Sequence, residues 1–241
     1  YQAIRLSHIG WFTLGMTCSY GLGDSLFLWS TRSLGVPGAL AIASCFPLWT
    51  VLAGYFFADE TIAPIQLLGL MATLAGLILV ILNIPKKTSS LNAGRFSLVG
   101  VLLAFATSLA WATNTYAVSR AGVDLTPWAG NTVRMILALC FCGTLKTLFA
   151  PKSPLILPKT LLCQSWWVFV IEAFGGSCFY FYGMSHSQLA LGSTLSSLSP
   201  VLSVPIALIL RLEKFSLPRT LGVVLVVLGL WLLISSGQFS Y

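Results

Sequence analysis

Two acidic residues lie inside long apolar segments of the sequence, where acids are rare. Asp24 falls within residues 9–33 and Glu172 within residues 166–186. An ionised acid at the centre of a bilayer costs about 2.5–3.5 kcal/mol on insertion scales, so such a residue usually faces the protein interior or a wet cavity. Either acid could bind a cationic group of a solute or carry a coupling proton. A hydrogen-bonded acid that only supports packing is the equal alternative.

Other side chains could line a cavity beside these acids. Ligand cavities are mostly apolar with a few polar groups, so aromatic and amide residues within the apolar segments are the candidates, although packing and interfacial anchoring are the usual roles of single aromatics. They are Tyr20, Trp29, Trp49, Trp111, Asn114, Tyr116, Tyr180 and Tyr182. Arg134 is a possible partner for an acid, but we expect its long side chain to reach out to the membrane interface.

The elements that carry these residues are predicted to be membrane-spanning helices. The chain is 57% hydrophobic and only 8% charged, which excludes an ordinary soluble domain. About 20 apolar residues are needed to span a bilayer as a helix. Eight runs approach that length, at residues 9–33, 37–58, 64–83, 96–118, 127–150, 166–186, 190–211 and 217–235. The predicted fold class is therefore an all-α polytopic membrane protein.

An internal repeat organises these helices. A shift of 153 residues places 39–82 on 192–235 without a gap and gives ten identities in 44 positions. The matched pairs that break or pack helices are Pro47 with Pro200, Glu60 with Glu213, Gly69 with Gly222, and Gly76 with Gly229. The two copies are five crossings apart, an odd number, which predicts that the second copy is inverted in the membrane.

The repeat predicts the division of the chain. Residues 1–83 form the last three helices of a first repeat, 84–95 a loop, and 96–236 a complete second repeat of five helices. We therefore expect two further helices before residue 1 and ten in all. A proline inside a helix removes a backbone hydrogen bond and bends it, so Pro47 and Pro200 are expected midway along their helices, as hinges or cavity-shaping bends. The alternative for both is packing alone.

The repeated pattern resembles the EamA-like branch of the drug/metabolite transporter superfamily. The resemblance lies in the proline of one helix, the glutamate at its end and the glycines of the next, and it covers nearly the whole chain. Glu60 and Glu213 are expected mainly to stabilise helix ends, with a gating or proton role as the alternative. The resemblance implies ten helices in two five-helix halves around a central cavity.

The function that this resemblance implies is secondary transport of small organic solutes such as amino acids, other metabolites or amphipathic compounds. Export by alternating access is expected, driven either by the gradient of the solute or by protons that pass through Asp24 or Glu172. The expected partners are the solute and the lipid bilayer, in the inner cell membrane, without nucleic acid. No cofactor or metal is expected, and no Walker-type loop suggests direct use of ATP.

Two other classes of function stay open at this point. Gly21-Leu22-Gly23-Asp24 matches the short GxGD pattern of intramembrane aspartyl proteases, but that chemistry needs a second carboxylate in the same site. A non-transporting assembly or regulatory protein would need neither acid. Substitution of Asp24 discriminates the three classes, because it would abolish cleavage in a protease, impair flux in a transporter, and change neither in a structural partner.

Overall fold

The structure, a computed structural model, describes most of the chain. The described residues are 4–59, 61, 63–83, 98–149, 158–198, 201–202, 206, 209 and 216–235. Within these ranges every regular element is helical, which confirms the predicted all-α class.

Ten α-helices and two π-helices follow one another in the described part. The first five α-helices are α1 (Leu6–Met16), α2 (Asp24–Ala43), α3 (Phe46–Phe57), α4 (Pro64–Leu82) and α5 (Leu98–Gly122). The next five are α6 (Pro127–Phe149), α7 (Lys159–Val170), α8 (Ser177–His186), α9 (Leu189–Ser196) and α10 (Leu217–Ser235). A first π-helix, Thr17–Gly23, joins α1 to α2, and a second, Ile171–Gly176, joins α7 to α8.

Within the described residues the helices follow the predicted spans, with breaks that the pattern of apolar residues does not reveal. Of the predicted span 190–211, only residues 190–198, 201–202, 206 and 209 are described. The first span runs through α1 and the first π-helix into α2, which leaves helical geometry at Gly35 (φ 70°, ψ 162°). A positive φ of this kind is accessible to glycine at little cost, so the chain turns there into the next span. Five described segments are long and apolar enough to cross a membrane: Gly38–Phe57, Pro64–Leu82, Leu98–Gly122, Pro127–Leu148 and Lys159–His186.

The position of Pro47 differs from the expectation. The span Gly38–Phe57 bends at Ser44 and Cys45, where α2 has ended and α3 has not begun. Pro47 lies in the first turn of α3, not in the interior of a helix. A proline there removes no intrahelical hydrogen bond, because the first N–H groups of a helix have no partner within it. The bend is thus close to the predicted place, but the proline starts the second half instead of interrupting a continuous helix.

The chain packs as two units. The first unit comprises Tyr1–Leu22 and Thr113–Ser187, and it contains α1, the end of α5, α6, α7, the second π-helix and α8. Its buried side chains include Phe12, which contacts Phe181 with ring centroids 5.9 Å apart. The second unit comprises Gly23–Ala112 and Gln188–Tyr241 and contains α2, α3, α4, the start of α5, α9 and α10.

The close contact of α4 with α10 dominates the second unit. A Cβ atom on Gly69 would lie 2.7 Å from the carbonyl oxygen of Gly229, and one on Gly76 would lie 2.6 Å from that of Gly222. Residue numbers rise in opposite directions along the two helices, so they are antiparallel. The absence of side chains at these four positions allows the two backbones to approach closely, as in small-residue contacts of membrane helices.

These glycine contacts are reciprocal. Gly76 meets Val226 on α10, and Gly229 meets Thr73 on α4; Gly69 meets Leu233, and Gly222 meets Val80. The 153-residue shift maps the Gly76–Val226 contact onto the Gly229–Thr73 contact, and the Gly69–Leu233 contact onto the Gly222–Val80 contact. Leu77, Val80 and Val226 are buried beside the glycines and belong to one of the apolar clusters of the unit.

Substitution of Gly76 tests this contact. Gly76→Ala should destabilise the protein by about 1–3 kcal/mol, because the added methyl group meets backbone atoms that cannot rotate away. Gly143→Ala is the matched control: Gly143 lies in α6 with open space around it. That change should be neutral or stabilising by up to about 1 kcal/mol, since alanine favours a helix over glycine. The unfolding temperature in detergent measures both, and equal effects would contradict the close contact.

Candidate functional site

Asp24 lies at the start of α2 and is bound by Trp111 of α5. The indole Nε1 of Trp111 donates a hydrogen bond to Asp24 Oδ1 over 3.1 Å. The Trp111 ring contacts Phe27 and Phe46, with ring centroids 5.5 Å and 6.3 Å away. The second unit thus contains a half-buried carboxylate that accepts from an indole in contact with two other aromatic rings.

A second tryptophan binds the same helix one turn earlier. Trp49 Nε1 donates to Ser108 Oγ over 2.9 Å, and the Trp49 ring meets Phe105 edge-on at 5.1 Å. Ser108 and Trp111 are three residues apart on α5, so they share one face of that helix. Two of the predicted cavity residues therefore meet one face of α5: Trp111 projects from it, and Trp49 of α3 binds Ser108 on it.

The first unit contains a polar network between α6 and α8. Ser177 Oγ donates to Asn131 Oδ1 over 2.6 Å, and Asn131 Nδ2 donates to the carbonyl oxygen of Ala173 over 3.0 Å. Arg134 Nη1 reaches Ser177 Oγ at 3.4 Å, and its guanidinium carbon lies 5.4 Å from the centroid of the Tyr180 ring. Asn131 and Arg134 are one turn apart on α6 and are both buried.

Tyr180 and Asn114 extend the polar groups of the first unit towards α5. Tyr180 donates from its hydroxyl to Thr115 Oγ1 over 3.1 Å. Asn114 is buried, and its Oδ1 has no hydrogen-bond partner among the described residues. Tyr116 meets Trp11 of α1 edge-on with ring centroids 5.9 Å apart. Three more of the predicted residues, Asn114, Tyr116 and Tyr180, thus lie in the first unit.

The two π-helices occupy corresponding places in the two copies of the repeat. Shifted back by 153, the second π-helix (171–176) falls on 18–23, within the first (17–23). In each, a main-chain carbonyl lies near a polar side chain. Asn131 Nδ2 donates to Ala173 O, and Gly23 O lies 3.4 Å from Thr107 Oγ1, whose shorter contact, 2.9 Å, is with Leu103 O. The π-helical turn is rare and occurs frequently at functional sites, where it redirects side chains and carbonyls.

Four of the other predicted residues are exposed, and one of them, Tyr20, still interacts electrostatically with Arg134. Glu172 is exposed and lies in the second π-helix, so of the two expected surroundings, the protein interior and a wet cavity, the structure does not show the first. Tyr20, Trp29 and Tyr182 are also exposed, and Tyr182 stacks on His186 with ring centroids 4.3 Å apart. Gly69 and Gly222 belong to the contact of α4 with α10, where Gly69 faces Gly229 and Gly222 faces Gly76. Pro200, Glu60 and Glu213 lie outside the described residues.

The position of Arg134 differs from the prediction. The sequence predicts a side chain that extends to the membrane interface, but the side chain is 4% exposed and points into the first unit. Arg134 follows the start of α6 at Pro127 by seven residues, or about 10 Å along the helix, which places it deeper than an interfacial anchor. Asn131, Ser177 and Ser108 were not singled out either. The one signal available was the three-residue spacing of Asn131 and Arg134.

The mechanism of an aspartyl protease requires two carboxylates that share a proton. In the described part of the chain, the hydrogen-bond partner of Asp24 is the indole of Trp111, and Asp124 pairs with Arg5 at 4.0 Å in the first unit. The groups around Asp24 can bind and orient a polar solute, but they provide no second acid.

The fold and these membrane-embedded polar groups define an integral, multi-pass α-helical membrane protein. The chain belongs to the EamA-like transporter family, whose model matches residues 98–235, more than half of the sequence. This confirms the family that the repeated motif suggested and makes the protein a membrane transporter of small solutes.

Comparison with solved structures supports the fold. One crystal structure of a protein matches with a TM-score of 0.67 and 19% sequence identity, over 96% of this chain and 89% of that chain. At this identity the match concerns the fold alone. None of the curated proteins matches the chain significantly.

Removal of the Trp111 donor tests the Asp24 contact. Trp111→Phe keeps an aromatic ring beside Phe27 and Phe46 but removes the N–H, and it should lower the free energy of unfolding by about 1 kcal/mol. In an Asp24→Leu background the same change should cost much less, because its partner is already absent. The stability of the unmodified protein, the two single variants and the double variant is measured as the temperature at which monodisperse protein is lost on heating. An equal cost in both backgrounds would contradict the hydrogen bond.

Proposed function

We propose that the protein is a secondary transporter that carries small organic solutes by alternating access. Its membership of a transporter family supports this. The observation that carries the proposal is the Asp24–Trp111 contact, a carboxylate within a membrane helix whose described partner is a neutral indole. Ionisable residues in such positions commonly line solute and ion pathways or relay protons.

The reciprocal glycine contact supports an inverted repeat as the basis of this mechanism. Antiparallel packing of α4 on α10, with contacts that exchange under the 153-residue shift, is what two copies related by a pseudo-two-fold axis in the membrane plane would produce. The corresponding π-helices are a second, independent correspondence. We assign residues 1–83 to the first repeat, 84–95 to the loop between them, and 96–236 to the second.

In this mechanism Asp24 is the residue that binds a cationic group or a coupling proton. Trp111, Phe27 and Phe46 supply apolar walls, and Trp49 with Ser108 extends the same face of α5. Glu172 is a second candidate for coupling, on an exposed turn of the second π-helix. Export across the inner cell membrane is the direction that the family resemblance implies.

Uptake into proteoliposomes tests this proposal. We expect saturable uptake of one class among labelled amino acids, nucleosides and amphipathic amines, and stimulation of that uptake by a pH gradient. Asp24→Asn should abolish the stimulation, because the amide cannot bind and release a proton. Retention of the full response in both Asp24→Asn and Glu172→Gln would reject proton coupling through these acids.

Asp59→Asn is the matched control for the loss of an acid. Asp59 is exposed, lies between α3 and α4, and has a φ of 54°. Asparagine tolerates this left-handed conformation as aspartate does, so the variant should fold and transport normally. Loss of the response to a pH gradient in this control would show that the assay reports general damage. Absence of uptake of every solute by the unmodified protein would count against the proposed function itself.

A further inference from the structure

Arg134 is a buried cation without a counter-ion among the described residues. Its side chain is 4% exposed, and its Nε–H has no hydrogen-bond acceptor. The described groups that interact with it include the Ser177 hydroxyl, the Tyr180 ring, Tyr20 and Cys178, and none of them is a carboxylate. An arginine within a membrane helix is unfavourable by several kcal/mol unless something compensates its charge, so a cation in this position requires an explanation.

The neighbours of Arg134 orient its side chain but do not neutralise it. The Asn131 amide is engaged on both sides, since Oδ1 accepts from Ser177 and Nδ2 donates to Ala173 O. The Tyr180 hydroxyl donates to Thr115. Ser177 can therefore accept from Arg134, but the distance of 3.4 Å is longer than the usual 2.7–3.2 Å. This contact is the weakest of the network and the easiest to replace by a stronger acceptor.

The geometry favours a ligand that is planar and carries a single negative charge. The guanidinium carbon of Arg134 lies over the Tyr180 ring, 5.4 Å from its centroid. The N–H donors lie along the edge of the guanidinium, where they can bind the oxygens of a ligand. A carboxylate matches the planar fork of an arginine with two parallel hydrogen bonds. Its single charge balances one arginine, whereas a phosphate near −1.5 to −2 would leave about half to one negative charge uncompensated in a buried site.

We propose that Arg134 binds a carboxylate group of the transported solute; Ser177, whose proton is donated to Asn131, only accepts from Arg134. The inference rests on the proposed transport function and narrows its substrate class to solutes that bear a carboxylate. Asn131 acts as a positioning residue, because it holds the Ser177 hydroxyl by a 2.6 Å hydrogen bond. The ligand would replace the long contact between Arg134 and Ser177 and supply an acceptor for the Nε–H.

Thermal stability of the purified chain in nanodiscs tests the proposal. The probes are acetate, benzoate and indole-3-acetate, each compared with its primary amide and with inorganic phosphate at equal ionic strength. We expect at least one carboxylate to raise the unfolding temperature of the wild-type protein, and its amide and phosphate not to do so. Arg134→Met should weaken the effect about 10- to 100-fold in probe concentration, as expected for lost charge-assisted hydrogen bonds.

Two further variants make the result specific. Arg120→Met removes a cation from an exposed position on α5 and should leave the carboxylate effect unchanged. Arg134→Lys keeps the charge but loses the planar fork, and it should weaken the effect less than methionine does. If Arg134→Met fails to fold, the lysine variant carries the comparison alone.

The outcomes separate this inference from the proposed function. The inference is overturned if no carboxylate stabilises the wild-type protein beyond its amide, or if every Arg134 variant that folds retains the full effect. Uptake of neutral or cationic solutes that persists in either case would leave the transport function standing. Carboxylate binding that depends on Arg134, without uptake of any solute, would support the site and reject transport.

Discussion

A polar group inside a bilayer must find its partner within the protein, because hydrocarbon offers none. Most described polar side chains in the helices satisfy this constraint locally; Thr73 Oγ1, for example, donates to the carbonyl oxygen of Gly69 in the preceding turn. Asp24 and Arg134, whose ionisable groups lie inside apolar segments of the sequence, have hydrogen-bond partners on other helices. Trp111 donates a hydrogen bond to Asp24 from 87 residues away, and Ser177 accepts one from Arg134 across 43 residues. We propose that these two residues, whose hydrogen bonds are not made within their own helices, carry the function.

The same constraint explains how the helices are arranged around those residues. Membrane helices lack a hydrophobic driving force for association and pack best where small residues allow close approach. The glycines of α4 and α10 provide such an approach in the second unit. In each π-helix a main-chain carbonyl lies near a polar side chain, and Asn131 donates to that of Ala173. Close packing and carbonyl capture together give the polar side chains fixed surroundings, which a binding site for a small solute needs.

Much of the fold was predictable from the sequence, because length and apolarity determine whether a helix can span a membrane. The 153-residue shift also identified Gly69, Gly76, Gly222 and Gly229 before their contacts were known. Partner choice was not predictable: nothing in the sequence links Asp24 with Trp111, 87 residues away. The burial of Arg134 was missed because an arginine two turns into a helix can extend to the interface or turn inwards, and only the neighbouring helix decides.

Counterflow most directly tests the central claim that this chain moves solutes through a site open to one side of the membrane at a time. Proteoliposomes are loaded with an unlabelled solute that the protein takes up, diluted, and given a trace of the same labelled solute outside. A carrier with alternating access predicts transient accumulation of label above its equilibrium level, and no accumulation in liposomes without protein. Entry of label that only approaches equilibrium, whatever the internal load, would contradict the alternating-access account.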